Sequence, residues 1–174
     1  SDGDGIIDKE IDGKRVPFRF SLTYYVKNAL GKTIVEYIAT ALKEVGIDCQ
    51  PNGIDIADLS ATFEDKSFDA LFFIWGFGSP PEDPEQLWLS TLGKVKGSSN
   101  AVGFANDRAD AIIRELKMEY DKNKRIQLYH EFDQIMHDEQ PYTFLFTPKA
   151  SLLYRNYLQN VFIPADRQDI LPGA

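Results

Sequence analysis

A single cysteine, Cys49, in 174 residues excludes an intrachain disulfide, and one thiol says nothing about the redox compartment. Positive charge is also short: 19 Lys and Arg stand against 27 Asp and Glu, a net charge of -8. A protein that grips nucleic acid needs a basic stripe to displace counterions, so that class is excluded. Long apolar runs are missing as well. The longest, Ala70 to Trp75, is far shorter than the ~20 residues of a membrane-crossing helix, so the chain is not expected to be membrane-embedded. No internal repeat or low-complexity segment is present.

The chemistry-bearing motifs are equally sparse. No G-x-S-x-G elbow surrounds Ser79, Ser90, Ser98 or Ser99. His130 and His137 are seven apart, whereas helices that bind a metal place ligands three or four apart so that adjacent turns converge on one ion. The opening D-G-D-G-I-I-D has the flavour of a calcium loop. Taken from Asp2 as first position, however, the fifth place is Ile6 and the sixth Ile7, where a ligand and a glycine are required. The expected structure there is a turn whose Asp side chains accept backbone N–H groups. Glu82, Asp83 and Glu85 lie in a proline-rich loop that leaves them solvated, not paired as acid and base. Neither a cofactor nor a metal is called for.

What is present is enough for one domain with a real core. Aromatics make up 13% of the chain, which suits a thick core or a stacking surface. Phe18, Phe20 and Leu22 alternate with Arg19, Ser21 and Thr23 as a half-buried strand does. Ile34, Ile38, Ala41, Leu42 and Val45 share one face of a helix over 32–45, stopped by Gly46. A short strand is expected at 47–50 and a helix over 56–64 with Leu59 and Phe63 inward. Residues 68–75 read as a strand buried on both faces. Strand, helix, strand, helix, strand implies an α/β sheet with crossovers. Further on, Asp107 caps a helix burying Ala109, Ile112, Ile113, Leu116 and Tyr120. Asp121 caps another that buries Ile126, Tyr129, Phe132 and Met136 and ends at Pro141. Residues 142–146 are strand-like.

The stretch from Trp75 to Ala109 carries the most information. An apolar strand empties into W-G-F-G-S-P-P-E-D-P-E-Q-L-W, with aromatics, glycines and hydrogen-bonding side chains but no nucleophile-and-base pair. Gly76 and Gly78 allow a ligand to approach the backbone closely, and in open α/β sheets ligands gather beyond the carboxyl ends of strands. The block holding Trp75, Asp83-Pro84 and Asn100, followed by Arg125, Tyr129, Glu139 and Pro141 and preceded by G-D-G-I-I-D-K, resembles the C-terminal lobe of solute-binding proteins of the peptide, nickel and opine type (family 5) that feed ABC transporters.

The resemblance spans nearly the whole chain and implies the following. Residues 1–174 form a single lobe, in an α/β, periplasmic-binding-protein-like fold (type II), with a mixed sheet flanked by helices. The N-terminal lobe is absent, and the chain, which opens in mid-motif without Met, is an excised piece. The parent is a non-catalytic, extracytoplasmic protein, periplasmic or at the cell surface. It encloses a peptide or small solute between two lobes and delivers it to a membrane permease, and Trp75, Phe77, Gly78, Ser79 and Asn100 contribute to the cleft. Peptide-binding members place an Asp just beyond the matching Trp to pair with the ligand's amino terminus. Here Gly78-Ser79-Pro80-Pro81 stand instead, which widens the expected ligands to modified or murein-derived peptides, sugars and opines. Arg125 and Glu139 are assigned to the scaffold. The rival readings are a small hydrolase-like enzyme using Ser79 or a carboxylate near Asp83, and a docking module whose acidic surface meets a basic partner.

Overall fold

A computed structural model describes residues 3–76, 83–147 and 153–161. The chain divides into two compact units. The first comprises Ser1–Trp75 with Lys94–Ala101, and the second Gly76–Gly93 with Val102–Ala174.

The first unit opens with a hairpin of β1 (Asp8–Ile11) and β2 (Lys14–Pro17), paired antiparallel with Ile11 opposite Lys14. Its two-residue turn is Asp12-Gly13, with φ of 51° and 74°. Positive φ at both central residues matches the twist of the flanking strands, and Asp-Gly tolerates it. Sequence reasoning expected only a turn in the opening and missed this hairpin, although Asp-Gly is the strongest short-range hairpin signal. The expected turn is found just upstream, where Asp4 Oδ1 accepts from the Ile6 N–H at 2.8 Å.

β3 (Arg19–Tyr25), α1 (Ala29–Glu44), β4 (Asp48–Ile54), α2 (Ile56–Asp65) and β5 (Ala70–Leu71) then alternate as expected. They build a parallel sheet in the order β4-β3-β5. β3 is therefore central, and Leu22, Thr23 and Tyr24 are all buried, not alternately so. Thr23 tolerates the interior because its hydroxyl accepts from Asn52 Nδ2 at 3.2 Å. The face of α1 that meets the sheet carries Val35, Ile38, Ala39 and Leu42, against Phe20, Leu22, Tyr24 and Cys49. Ala41 and Val45, expected inward, face outward. β4 runs on through Pro51, which a strand at the sheet edge accommodates. The strand expected over 68–75 is only two residues long. It lies at the other edge, and Phe73 and Ile74 beyond it are exposed, so burial on both faces is overturned.

The second unit is helical. A short α3 (Glu85–Trp88) and a 3-10 turn (Ser90–Leu92) precede α4 (Asp107–Met118) and α5 (Lys122–Glu139). Trp88, Phe104, Ala109, Ile112, Ile113, Leu116, Phe132 and Met136 form its core. Tyr120, expected on the buried stripe, lies beyond the end of α4 and is 90% exposed, and Ile126 is also exposed. Asp121 caps α5 as expected, accepting from the Lys124 N–H. Asn106, not Asp107, caps α4 by accepting from the Ala109 N–H at 2.9 Å. Asp110, buried near the start of α4, accepts from both the N–H and the hydroxyl of Ser90 at 2.9 Å. Residues 142–147, expected to be strand-like, form no strand: Tyr142 lies in a bend and the rest has no regular structure.

The Asn106 side chain also donates to Glu139 at the end of α5, so it fastens both long helices. Asn106→Ala is expected to lower the stability of the second unit by about 1–2 kcal/mol in chemical denaturation followed by circular dichroism.

Candidate functional site

Trp75 lies four residues beyond the end of β5, in a stretch without regular structure. Phe63, in the last turn of α2, stacks on Phe73 with ring centres 5.1 Å apart and meets Trp75 edge-on at 5.9 Å. Phe73 and Trp75 themselves meet edge-on at 5.2 Å. Such pairs hold rings in fixed mutual orientation and add about 0.5–1.5 kcal/mol each beyond burial. Trp75 is only half-buried and Phe73 is 42% exposed, so the cluster is an aromatic platform reaching solvent.

The end of α2 also holds the segment 94–101. Lys66 closes the helix in the left-handed region, φ 54°, with its N–H on Phe63 and Thr62 carbonyls. Its ammonium donates to Ser98 Oγ at 3.1 Å and to the Asn100 carbonyl at 2.8 Å. The Gly97 N–H donates to the Glu64 carbonyl, and Lys96 pairs with Asp65 at 2.7 Å. That pairing raises the Lys96 ammonium above its ordinary value. Asn100 is completely buried. Of the expected site residues, Trp75 and Asn100 therefore stand in the first unit, while Phe77, Gly78 and Ser79 lie outside the described residues. Phe63, Phe73 and Lys66 were missed as site residues. Phe63 carried a signal, since it was read as the inward residue of its helix.

Asp69 fixes where β5 starts, just ahead of the platform residues. It accepts from the Ser21 N–H and hydroxyl, both at 2.9 Å, which ties the entry to β5 to the central strand. These bonds, the backbone one foremost, hold its carboxyl below the usual range.

The acids considered for catalysis are otherwise engaged. Asp83 accepts from the Glu85 N–H at 2.9 Å, and Glu85 pairs with Lys117. Glu82 lies outside the described residues. His130 and His137 are both exposed. Arg125 donates to the Leu116 and Glu119 carbonyls at the end of α4 and sits over the Tyr129 ring, bracing one helix on the other as the scaffold assignment requires. Among the described residues no helix is long and apolar enough to cross a membrane.

No family model matches the chain. Oligopeptide-binding protein AppA of Bacillus subtilis is 29% identical over 153 residues, which is 85% of this chain and 26% of AppA. The solved structure of AppA in complex with a nonapeptide superposes with a TM-score of 0.75, covering 85% of this chain and 28% of that one. The chain is similar to one stretch of the peptide- and nickel-type solute-binding proteins of ABC transporters. NikA of Brucella suis, in complex with Fe(III)-EDTA, follows at 27% identity and a TM-score of 0.60, covering 79% of this chain and 27% of that one. An oligopeptide-binding protein of Thermotoga maritima, 18% identical with a TM-score of 0.71 over 80% of this chain and 26% of its own, shares the fold. The fold is thus periplasmic-binding-protein-like, and the chain spans about a quarter of the length of the curated relative AppA.

Two outcomes follow. Lys66→Met is expected to cost about 1–3 kcal/mol in denaturant unfolding and to speed amide exchange at 97–101 selectively, because it leaves the Asn100 carbonyl without its charged donor. Asp69, titrating lower folded than unfolded, contributes stability that is complete above the ordinary aspartate range and lost as pH falls through the folded value. Melting temperature is therefore expected to fall between about pH 5 and 2, with a smaller fall in Asp69→Asn.

Proposed function

We propose that residues 1–174 form one lobe of an extracytoplasmic solute-binding protein, which captures a peptide or related small solute between two lobes and hands it to an ABC permease. The observation that carries this reading is the 29% identity to AppA over 85% of the chain. The neighbours' names agree with it: besides AppA with its nonapeptide, one solved neighbour is an oligopeptide-binding protein from Thermus thermophilus with a pentapeptide. Several neighbours carry the word periplasmic, in keeping with an extracytoplasmic location.

Within this reading, the Phe63–Phe73–Trp75 platform supplies a flat apolar wall for a ligand, and Phe77, Gly78 and Ser79, next in the chain, are proposed as further ligand contacts. Asn100, being completely buried, supports the site from behind through the Lys66 bond. Trp75 gains something by being only half-buried, since a ring fixed edge-on by two neighbours loses little freedom when a ligand covers it. The protein acts by binding and not by turnover. Of the acids that a hydrolase would use, Asp83 is committed to a local turn and Glu85 to Lys117.

The test is calorimetric titration of the two-lobed parent with pools of peptides, murein-derived peptides and sugars. One pool is expected to bind, and Trp75→Ala to weaken it by about 10–100-fold, the loss of one buried aromatic anchor. The 174-residue chain alone is expected to bind the same ligand at least about 100-fold more weakly, because half of the ligand stays in water. Failure of every pool to bind the parent would overturn the reading, and micromolar binding by the chain alone would overturn the two-lobe mechanism.

A further inference from the structure

The loop 3–8 holds a feature the solute-binding reading leaves unused. A calcium frame begun at Asp2 fails at its fifth and sixth positions, but the backbone sets a different frame. Gly5 has φ of 83°, the left-handed turn for which the sixth position of a calcium loop needs glycine. Counted from it, Asp4 is fifth and Asp8 ninth, both ligand positions, and Ile6 is seventh, where the ligand is a main-chain carbonyl. Ile7 between them is pinned at both ends, its N–H donating to the Gly46 carbonyl at 2.7 Å and its carbonyl accepting from the Phe18 N–H at 2.8 Å.

An independent observation points to a ligand at this place. The Asp8 side chain is 6% exposed, and its Oδ2 is buried with no hydrogen-bond donor. Arg15 Nε stands 3.9 Å away, an ion-pair distance but not a hydrogen bond. A buried carboxylate oxygen in that state is costly unless a cation reaches it. A cavity of about 510 Å³ opens here, lined by Gly5, Ile6 and Asp8 and by Glu44 and Gly46 from the end of α1. The carboxyl end of a helix adds partial negative charge, and the two charged residues of the wall, Asp8 and Glu44, are both acidic, so the wall favours a cation.

We propose that this loop is a calcium site formed by the carboxylates of Asp4 and Asp8 and the carbonyl of Ile6, completed by water. No three acidic, His or Cys side chains cluster among the described residues, so the set is hard oxygen with few charges. Calcium accepts such a flexible, partly hydrated shell, whereas magnesium demands near-ideal octahedral geometry. The twelfth position is Ile11 and supplies no bidentate carboxylate, which places the affinity in the weak range of about 10⁻⁴–10⁻³ M.

Equilibrium dialysis of the chain against calcium chloride alone tests this. One ion per chain is expected to bind at about 10⁻⁴–10⁻³ M, with magnesium bound at least about tenfold more weakly. Asp8→Asn and, separately, the exposed Asp4→Asn are each expected to weaken calcium about tenfold or more, with circular dichroism confirming that each variant is folded. The exposed position of Asp4 keeps the test decisive should Asp8→Asn fail to fold. No saturable binding below about 10 mM, calcium binding unchanged in the folded variants, or magnesium bound as tightly as calcium would overturn the proposal.

Discussion

Four consecutive residues at the carboxyl end of α2 hold the candidate site together. Phe63 faces the platform, the Glu64 carbonyl takes the Gly97 N–H, Asp65 takes Lys96, and the Lys66 ammonium takes Ser98 and Asn100. The physical reason is the unsatisfied charge at a helix end. The last turn of α2 has no basic residue of its own and carries Asp65, an unfavourable sign against the helix dipole. Lys66, turned into the left-handed region, and Lys96, arriving from the returning segment, bring the missing positive charge. A half-buried ammonium must find acceptors, and a main-chain carbonyl plus a hydroxyl provide them. The helix end thus recruits the 94–101 segment and, through the same turn, fixes the ring on which Phe73 and Trp75 lean.

The order of elements was legible because the α1 and α2 periodicities and the intervening apolar runs are strong local signals. The rank of the strands was not. Leu22-Thr23-Tyr24 looked half-buried because Thr23 and Ser21 are polar, and 68–75 looked central because it is nearly all apolar. The structure reverses them. Thr23 is interior with its hydroxyl bonded to Asn52, whereas Phe73 and Ile74 are exposed beyond an edge strand. Burial on both faces depends on which strands flank a strand and what covers it, and composition alone does not encode that. The face of α1 was misread by about one residue for a related reason: its outward stripe, with Leu30, Tyr37 and Val45, is itself apolar.

The candidate site was legible only in its anchor. Trp75 followed by Gly76 marked a strand opening into a ligand-permissive loop, but the residues that orient it came from elsewhere. Phe63 is twelve residues earlier in the chain, and Lys66 reaches Asn100 across 34 positions. Nothing local announces a Lys in the left-handed region, where Gly is the usual occupant. The scaffold assignment of Arg125 fared better, since a cation just inside the start of one helix readily meets the carboxyl end of the one before it.

A half-buried tryptophan is ambiguous between core and contact surface, and here the ambiguity has a structural resolution. Three rings clustered just beyond an edge strand would serve a core if further apolar residues closed over them, but exposed Phe73 leaves one wall of the cluster facing solvent. Packing fixes the remaining geometry: edge-on pairs constrain Trp75 from two sides, and Asp69 holds the start of β5, from which the chain runs on to Trp75, to Ser21. The platform is thus rigid where it joins the fold and open where a ligand would lie. That division of labour suits recognition better than catalysis, because a binding wall needs orientation and desolvated area but no group poised to move a proton.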